Sequence, residues 1–401
     1  MRITPVTRVT AVAVATALSG ALLALVPAGA QAAAGPVGTT RWVTNAQLAQ
    51  GSVAGTRVSG GSIKHAKKVG KATVAGKTYT WSRWTSPWAS TGFAATEVIP
   101  SWNAKTPKGS LVQVQVRVRT TGGRTGSWDT VADWASADTV VKRRSGTAQT
   151  DDVARVVADT VRATGSNTIG AWQVRLKLMR RAGAKAATVQ SVGATFSAAR
   201  GVPATSRTTM TRTTRLAVPQ YSQMIHLGEY PKWNGGGEAW CSPTSTTMVL
   251  RYYSSGPTAK QYAWVNKKYR DRFVDHGARQ TYDYRYGGTG NWSFNTAYAG
   301  SFGHDAHVAR LRDLRDAEAL IKAGTPVIVS IEFSRGQLSG APISSTAGHV
   351  VVITGFTADG KVLVNDPAGA TNGAVQRTYD RAQFERAWIG GSNGTAYVIK
   401  R

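Results

Sequence analysis

The chain is short of cysteine, of acid and of long apolar runs. One cysteine, Cys241, stands in 401 residues, so no disulfide can form within the chain and its stability must come from ordinary hydrophobic cores. Acidic residues number 21 against 49 basic ones, a formal net charge of +28. An excess of that size implies attraction to polyanions. Past the first thirty residues, no stretch approaches the ~18 continuous apolar residues that a membrane-spanning helix needs.

The single apolar run sits at the start. Arg2 and Arg8 come without an acid, "AVAVATALSGALLALVPAGA" follows, and Ala30-Gln31-Ala32 gives a small-x-small exit. These are the three parts of a secretory signal. Residues 1–32 are therefore read as a cleaved signal peptide, which makes the mature chain secreted or wall-associated with no integral membrane segment. Gly20 and Pro27 argue against a retained anchor. Without the signal, 47 basic face 21 acidic residues, a net of +26. The excess is concentrated in residues 33–210, with 25 basic and 7 acidic groups, against 22 and 14 in 211–401. An anionic cell-wall polymer is the partner this suits, through the N-terminal half. Nothing matches a nucleic-acid-binding motif, so no specific nucleic acid is expected.

The two halves differ in pattern. "SLVQVQVRVRT" puts Val112, Val114, Val116 and Val118 on one face and Gln113, Gln115, Arg117 and Arg119 on the other. "AWQVRLKLMRR" repeats the rule with Trp172, Val174, Leu176 and Leu178. Strict period-two alternation marks strands with one buried and one wet face. Residues 33–198 thus read as an all-β sandwich, with one helix, or else an edge strand, over "TDDVARVVADTVRAT". Eight of thirteen tryptophans lie here. They are read first as core, and second as aromatic platforms for a wall polymer. Residues 199–217, rich in Thr and Arg without periodicity, read as an exposed linker.

Residues 218–401 mix types. A helix should begin beside Cys241, another lies in "LRDLRDAEALIKAG", and a short one in "YDRAQFERAW". "TPVIVSIEF", "GHVVVITGF" and "KVLVNDP" read as strands, the middle one central in its sheet. The fold class is α+β, an all-β N-terminal module before a mixed C-terminal domain. "GTGNWSFNTAYAG", residues 288–300, reads as a loop, either walling a cleft or packed between two helices.

Cys241 is the candidate nucleophile. "CSPTSTT" leads into the helix, Pro243 is tolerated in a first turn, and a helix start favours thiolate. Trp240 is read as a cleft wall. Among six histidines only His349, in "TAGHVVVITGF", opens a buried-looking strand, where a rigid imidazole can act as general base. Gly348 before it would let another group come close. Asp366, in "KVLVNDPAG", falls one hairpin later and can orient that imidazole. His304, Asp305 and His307 in "GHDAH" lack the ligand set of a zinc site, so no metal and no cofactor are expected.

With its order of Cys, His and Asp on helix, strand and strand, the chain resembles the papain-like cysteine peptidases. It is most similar to peptidase family thirty-nine and the secreted relatives of the double-glycine bacteriocin-leader peptidases. The resemblance covers about residues 216–390 through "VPQYSQ", "WCSPTSTTMVL", "GTGNWSFNTAYA", "AGTPVIVSI", "GHVVVITGF", "VNDPA" and "YDRAQFERAW". It implies a papain-like C-terminal domain with Cys241 as nucleophile, His349 as base and Asp366 as orienting acid. It also implies an oxyanion-binding glutamine, Gln223 in preference to Gln220, although its spacing to Cys241 is long for the family. The expected function is a secreted peptidase hydrolysing peptide or protein substrates through a thioester. A cell-wall amidase or endopeptidase, and a non-catalytic wall-binding protein on the same scaffold, are the alternatives.

Overall fold

The computed structural model describes residues 35–147, 149, 152–199, 201 and 204–401. The expected signal peptide lies outside them. Among the described residues, no helix is long and apolar enough to cross a membrane.

Residues 37–197 form two facing antiparallel sheets of seven and eight strands. The strands that matter below are β1 (Glu97–Lys105), β2 (Ser110–Thr120), β3 (Ala154–Val157), β4 (Thr160–Ala163), β5 (Ile169–Arg180) and β6 (Thr188–Ser197). One sheet carries the order β3-β4-β1-β6, and the other pairs β2 with β5 along eleven residues. The alternating valines of β2 and the apolar set of β5 are all buried, as period-two strands dictate. Five of the eight tryptophans fill the core between the sheets, with Trp42 edge-on to Trp84 and Trp172 at 5.9 and 5.6 Å. The other three, Trp81, Trp88 and Trp128, are half-buried on the outer face. No helix forms over the described part of "TDDVARVVADTVRAT". The edge-strand reading holds instead: β3 is the last strand of its sheet, joined to β4 by a hairpin turned at Ala158 (φ 53°) and Asp159.

The C-terminal half packs helices α1 (Cys241–Tyr252), α2 (Phe273–Thr281), α3 (Trp292–Gly300), α4 (Leu314–Lys322) and α5 (Arg381–Glu385) around a third sheet. That sheet is antiparallel, with β7 (Asp305–Arg310), β8 (Val327–Phe333), β9 (Thr346–Phe356), β10 (Val362–Asn365), β11 (Gln376–Tyr379) and β12 (Thr395–Lys400) in the order β7-β12-β8-β9-β10-β11. The strand "GHVVVITGF" is central, as its unbroken apolar run requires.

Residues 292–300 are helical; 288–291 are the loop before them, and Gly290, Asn291 and Trp292 line the cleft at Cys241, one of the two readings expected of this stretch. Asn291 caps Phe294 N through its side chain, and α3 follows with every residue after Trp292 buried. Glycine and asparagine in that stretch serve capping and close packing. A Cβ on Gly300 would stand 2.3 Å from Asn103 of β1. Phe294 enters the sandwich, 5.2 Å from Trp134 and 6.4 Å from Trp102 between ring centroids. One hydrophobic core therefore runs from the two N-terminal sheets into α1 and α3.

The connection between the halves is exposed along most of its length but docked. Thr208 and Thr209 donate to buried Glu318 of α4, Met210 is buried, and Thr214–Arg215 pairs with β9.

Candidate active site

Cys241 is the first residue of α1, where the amides of the first turn lack intrahelical acceptors. The helix is pinned by its hydroxyls. Ser245 donates to Val350 O of β9 at 3.0 Å, and Ser242 bonds the Tyr397 hydroxyl of β12 at 2.9 Å. The thiol is half-buried.

His349 sits opposite Ile331 in the β8–β9 ladder and is 4% exposed. Its Nε2 lies 2.7 Å from Asp366 Oδ1. The antiparallel β9–β10 hairpin, with Val352 opposite Asn365, returns Asp366 to the end where His349 stands. Cys241 stands near enough to the imidazole to act on its pKa. Burial lowers the His349 pKa, but Asp366 and then Cys241 outweigh it and raise it to about 10. Asp366 is held below the usual carboxylate range. Burial would raise it, and His349, the Tyr379 hydroxyl and Ala368 N together prevail. Tyr379 O–H donates to Asp366 Oδ2 at 2.7 Å, and Ala368 N to Oδ1 at 3.0 Å.

Sequence reasoning missed Tyr379. Its only sequence signal is alternation in a short strand next to β10, which gives no hint of a hydroxyl bonded thirteen residues back.

Gln223 is 3% exposed. Its backbone N–H donates to Pro367 O at 2.8 Å, directly after Asp366, and its Nε2 donates to Glu238 O at 2.6 Å, three residues before Cys241. Gln223 is thus tied on one side to the Asp366 turn and on the other to the approach to Cys241.

Trp240 is fully buried and does not wall the cleft. Its indole N–H donates to Trp233 O, and its ring packs beside His226. His226 in turn bonds Glu229 at 2.8 Å and lies 3.4 Å from Asp275 of α2. Burial lowers the His226 pKa, yet the two carboxylates raise it to about 9.

A cleft of about 340 Å³ opens over Cys241, lined by Gly348, Ser330 and Glu332 on one side. Nothing lies within 4 Å of where a Gly348 Cβ would stand; the glycine opens space in the cleft and makes no close contact. The facing wall comes from the N-terminal module: Ala158, Asp159 and Arg162 of the β3–β4 hairpin. A second cleft of about 520 Å³ adjoins it through Glu332, Ala347 and Gly391.

The "GHDAH" residues do other work. Asp305 pairs with Arg41, and His304 Nδ1 bonds Lys400 O at 3.0 Å.

A family model for the peptidase C39 N-terminal domain matches residues 38–197, and one for the peptidase C39-like family matches 215–395. Together they span most of the chain, which belongs to the C39-like, papain-like cysteine peptidases. The chain is also similar to the crystal structure of a proposed C39-like peptidase from Bacillus anthracis, at 15% identity and a TM-score of 0.31, over 47% of this chain and 98% of that one. No curated protein matches it.

Proposed function

We propose that the chain is an exported cysteine peptidase that hydrolyses peptide bonds through a thioester on Cys241. The observation that carries this reading is the buried hydrogen-bonded line His349–Asp366–Tyr379 at one end of a central sheet, with Cys241 beside the imidazole and lining a cleft.

In this reading His349, its pKa raised to about 10, takes the proton from the Cys241 thiol. The thiolate attacks the substrate carbonyl. The Cys241 N–H and the Gln223 side-chain amide hold the oxyanion, a donor pair of a kind worth about 3 kcal/mol per member in the transition state. Imidazolium protonates the leaving amine, and neutral His349 then deprotonates the water that hydrolyses the thioester. Asp366 keeps the ring oriented throughout, as the third member of such triads does. The β3–β4 hairpin makes the N-terminal module part of the substrate cleft.

Incubating the purified protein with peptide libraries, before and after alkylation by iodoacetamide, tests the assignment. Activity should be lost with one equivalent of label on Cys241. Full turnover by Cys241→Ala, or failure of Cys241 to label near pH 7, would overturn it.

A second reading changes the bond to a stem-peptide linkage of the cell wall, for an amidase or endopeptidase. It is favoured by the basic outer face of the N-terminal module. Release of soluble muropeptides from purified wall distinguishes it from a protein-directed peptidase.

A further inference from the structure

The outer face of the β2–β5 sheet carries five cations in close array: Arg83, Arg117, Arg119, Arg175 and Lys177. None of them forms an ion pair among the described residues. Lys177 stands directly opposite Arg83 in the strand register, an arrangement that costs stability between like charges. The Arg175 pKa is lowered to about 10 by burial and then by Arg83 and Arg117, and that of Lys177 is lowered as well. Asp133, the acid near enough to act on Lys177, is already paired with Arg144 at 3.0 Å.

These cations are interleaved with the three half-buried tryptophans outside the core between the sheets, of which Trp81 also packs against a small cluster at Tyr79, Leu111 and Met179. Trp88 lies under Arg119 at 4.1 Å and Arg117 at 5.0 Å, and Trp128 under Arg117 at 4.6 Å and Arg175 at 4.1 Å. Lys177 stands over Trp81 at 5.3 Å. The result is a ladder, Arg119–Trp88–Arg117–Trp128–Arg175. Across the strands, Arg117 faces Gln173 and Arg175 faces Gln115. Each Nε donates to the opposing glutamine Oε1 at 2.8 Å. The guanidinium groups are thus fixed by stacking and by one hydrogen bond, and no described hydrogen bond uses the Nη atoms of Arg117 or Arg175.

We propose that this ladder is a binding site for an extended, phosphodiester-linked polymer without nucleobases, of the kind found in anionic cell walls. A fixed guanidinium fork matches a phosphate in bidentate fashion. Cations two residues apart along a strand stand about 6.7 Å apart, a spacing that suits successive phosphates of a short repeat. Such a ligand would neutralise charges that the sheet otherwise holds at a cost. Single-stranded nucleic acid fits less well. It gains much of its affinity by stacking bases on aromatic faces, and here each of Trp88 and Trp128 is already flanked by two guanidinium groups.

The test uses the purified protein, with Cys241→Ala to exclude turnover, titrated with poly(glycerol phosphate) and, separately, with poly(dT). Expected is salt-dependent binding of poly(glycerol phosphate), with poly(dT) bound more weakly. Arg117→Gln with Arg175→Gln should weaken it at least tenfold and reduce the salt slope by one to two, at about 0.7 for each phosphate no longer neutralised. Lys67→Gln with Lys68→Gln, an equal charge change at an exposed turn, should alter it less than twofold. Equal losses in the two double variants, no loss in the first, or tighter binding of poly(dT) would overturn the proposal. Where near-UV circular dichroism shows the arginine pair misfolded, Arg119→Gln and Lys177→Gln singly are read against the same criteria. Peptide hydrolysis by the same variants with Cys241 restored should be unchanged, so failure of this site and failure of the peptidase assignment are separable.

Discussion

The Asp159 carboxylate of the N-terminal hairpin accepts a hydrogen bond from Trp292 N, at the first turn of α3, at 2.5 Å. One side chain thereby closes a helix terminus in one half of the chain and lines the Cys241 cleft from the other. Its side chain is buried, and burial raises its pKa to about 6 against the Trp292, Thr160 and Ser293 hydrogen bonds that oppose the rise. A carboxyl raised in the folded state costs stability as pH rises. Between about 4 and 6 the folded chain binds more protons than the unfolded one, so stability falls through that window and is level above it. Asp159→Asn should remove this segment of the stability–pH curve. Urea unfolding at pH 4, 5, 6 and 7 checks it, and an unchanged slope in the variant would count against the assignment.

The His349–Asp366–Tyr379 line gives a second pH signature. The His349 pKa lies above its unfolded value near 6.5, so its pairing contributes stability that is full below 6.5 and lost as pH rises through about 10. For the proposed peptidase, the alkaline limb of kcat/KM should fall in the same region, because loss of that proton removes the acid that frees the leaving amine. Asp366→Asn should bring the limb down in pH and cut kcat by orders of magnitude. Tyr379→Phe keeps the carboxylate but takes one donor from a buried charge, with an expected loss of about 1–3 kcal/mol of stability. Its pH–rate profile should keep its shape, whereas a purely structural Tyr379 would leave activity per folded molecule unaltered.

The candidate catalytic side chains are legible in the sequence because each announces itself locally: a lone cysteine before a helix, a histidine opening an apolar strand, an aspartate one hairpin on. The alternation of β2 and β5 is equally plain, since one wet face enforces it. What escapes is decided by partners distant in sequence. Of the helix and the edge strand read for "TDDVARVVADTVRAT", the edge strand holds over the described residues, because β3 pairs with β4 and β4 with β1 through Val161 and Val98. "GTGNWSFNTAYAG" resembles a loop because its glycines and asparagines serve a cap and a close approach to Asn103, neither visible without the partner. Trp240 beside the nucleophile suggests a cleft wall, yet its ring is taken by His226 and its N–H by Trp233 O.

Glu318 ties the connection between the halves to α4. It is fully buried and accepts from Thr208, from the Thr209 amide and hydroxyl, and from Arg381 Nη1 at 2.7–2.8 Å. Burial would raise its pKa, and these donors outweigh it and lower it. The stability it contributes is therefore present above its unfolded pKa and lost as pH falls through the folded one. Glu318→Ala takes from the Arg381 guanidinium its carboxylate partner, leaving only the neutral acceptors of Ser206 and Gly360, and should cost about 3–5 kcal/mol. Glu318→Gln keeps the shape and should show its deficit mainly above pH 5. Thermal melts of both variants at pH 4 and pH 7 check the contrast, and equal losses at the two pH values would refute it.

The shared core predicts that the peptidase half does not stand alone. Phe294 of α3 is fully buried between Trp102 and Trp134 of the sandwich, and Arg143, buried in the same region, donates to Arg279 O at 2.7 Å and Gln280 Oε1 at 2.8 Å of α2. Removing residues 1–204 would expose that face and leave the α2 carbonyls without their donor. Large apolar surfaces of this kind drive aggregation. Residues 205–401 expressed alone should be insoluble or molten, with dye-binding hydrophobic surface and no near-UV signature. In the full chain, Phe294→Ala should lose about 3–5 kcal/mol and unfold both halves in one transition. A soluble, cooperatively folded C-terminal half, or separate melting of the two halves in the variant, would show that the core is not shared in the way this packing describes.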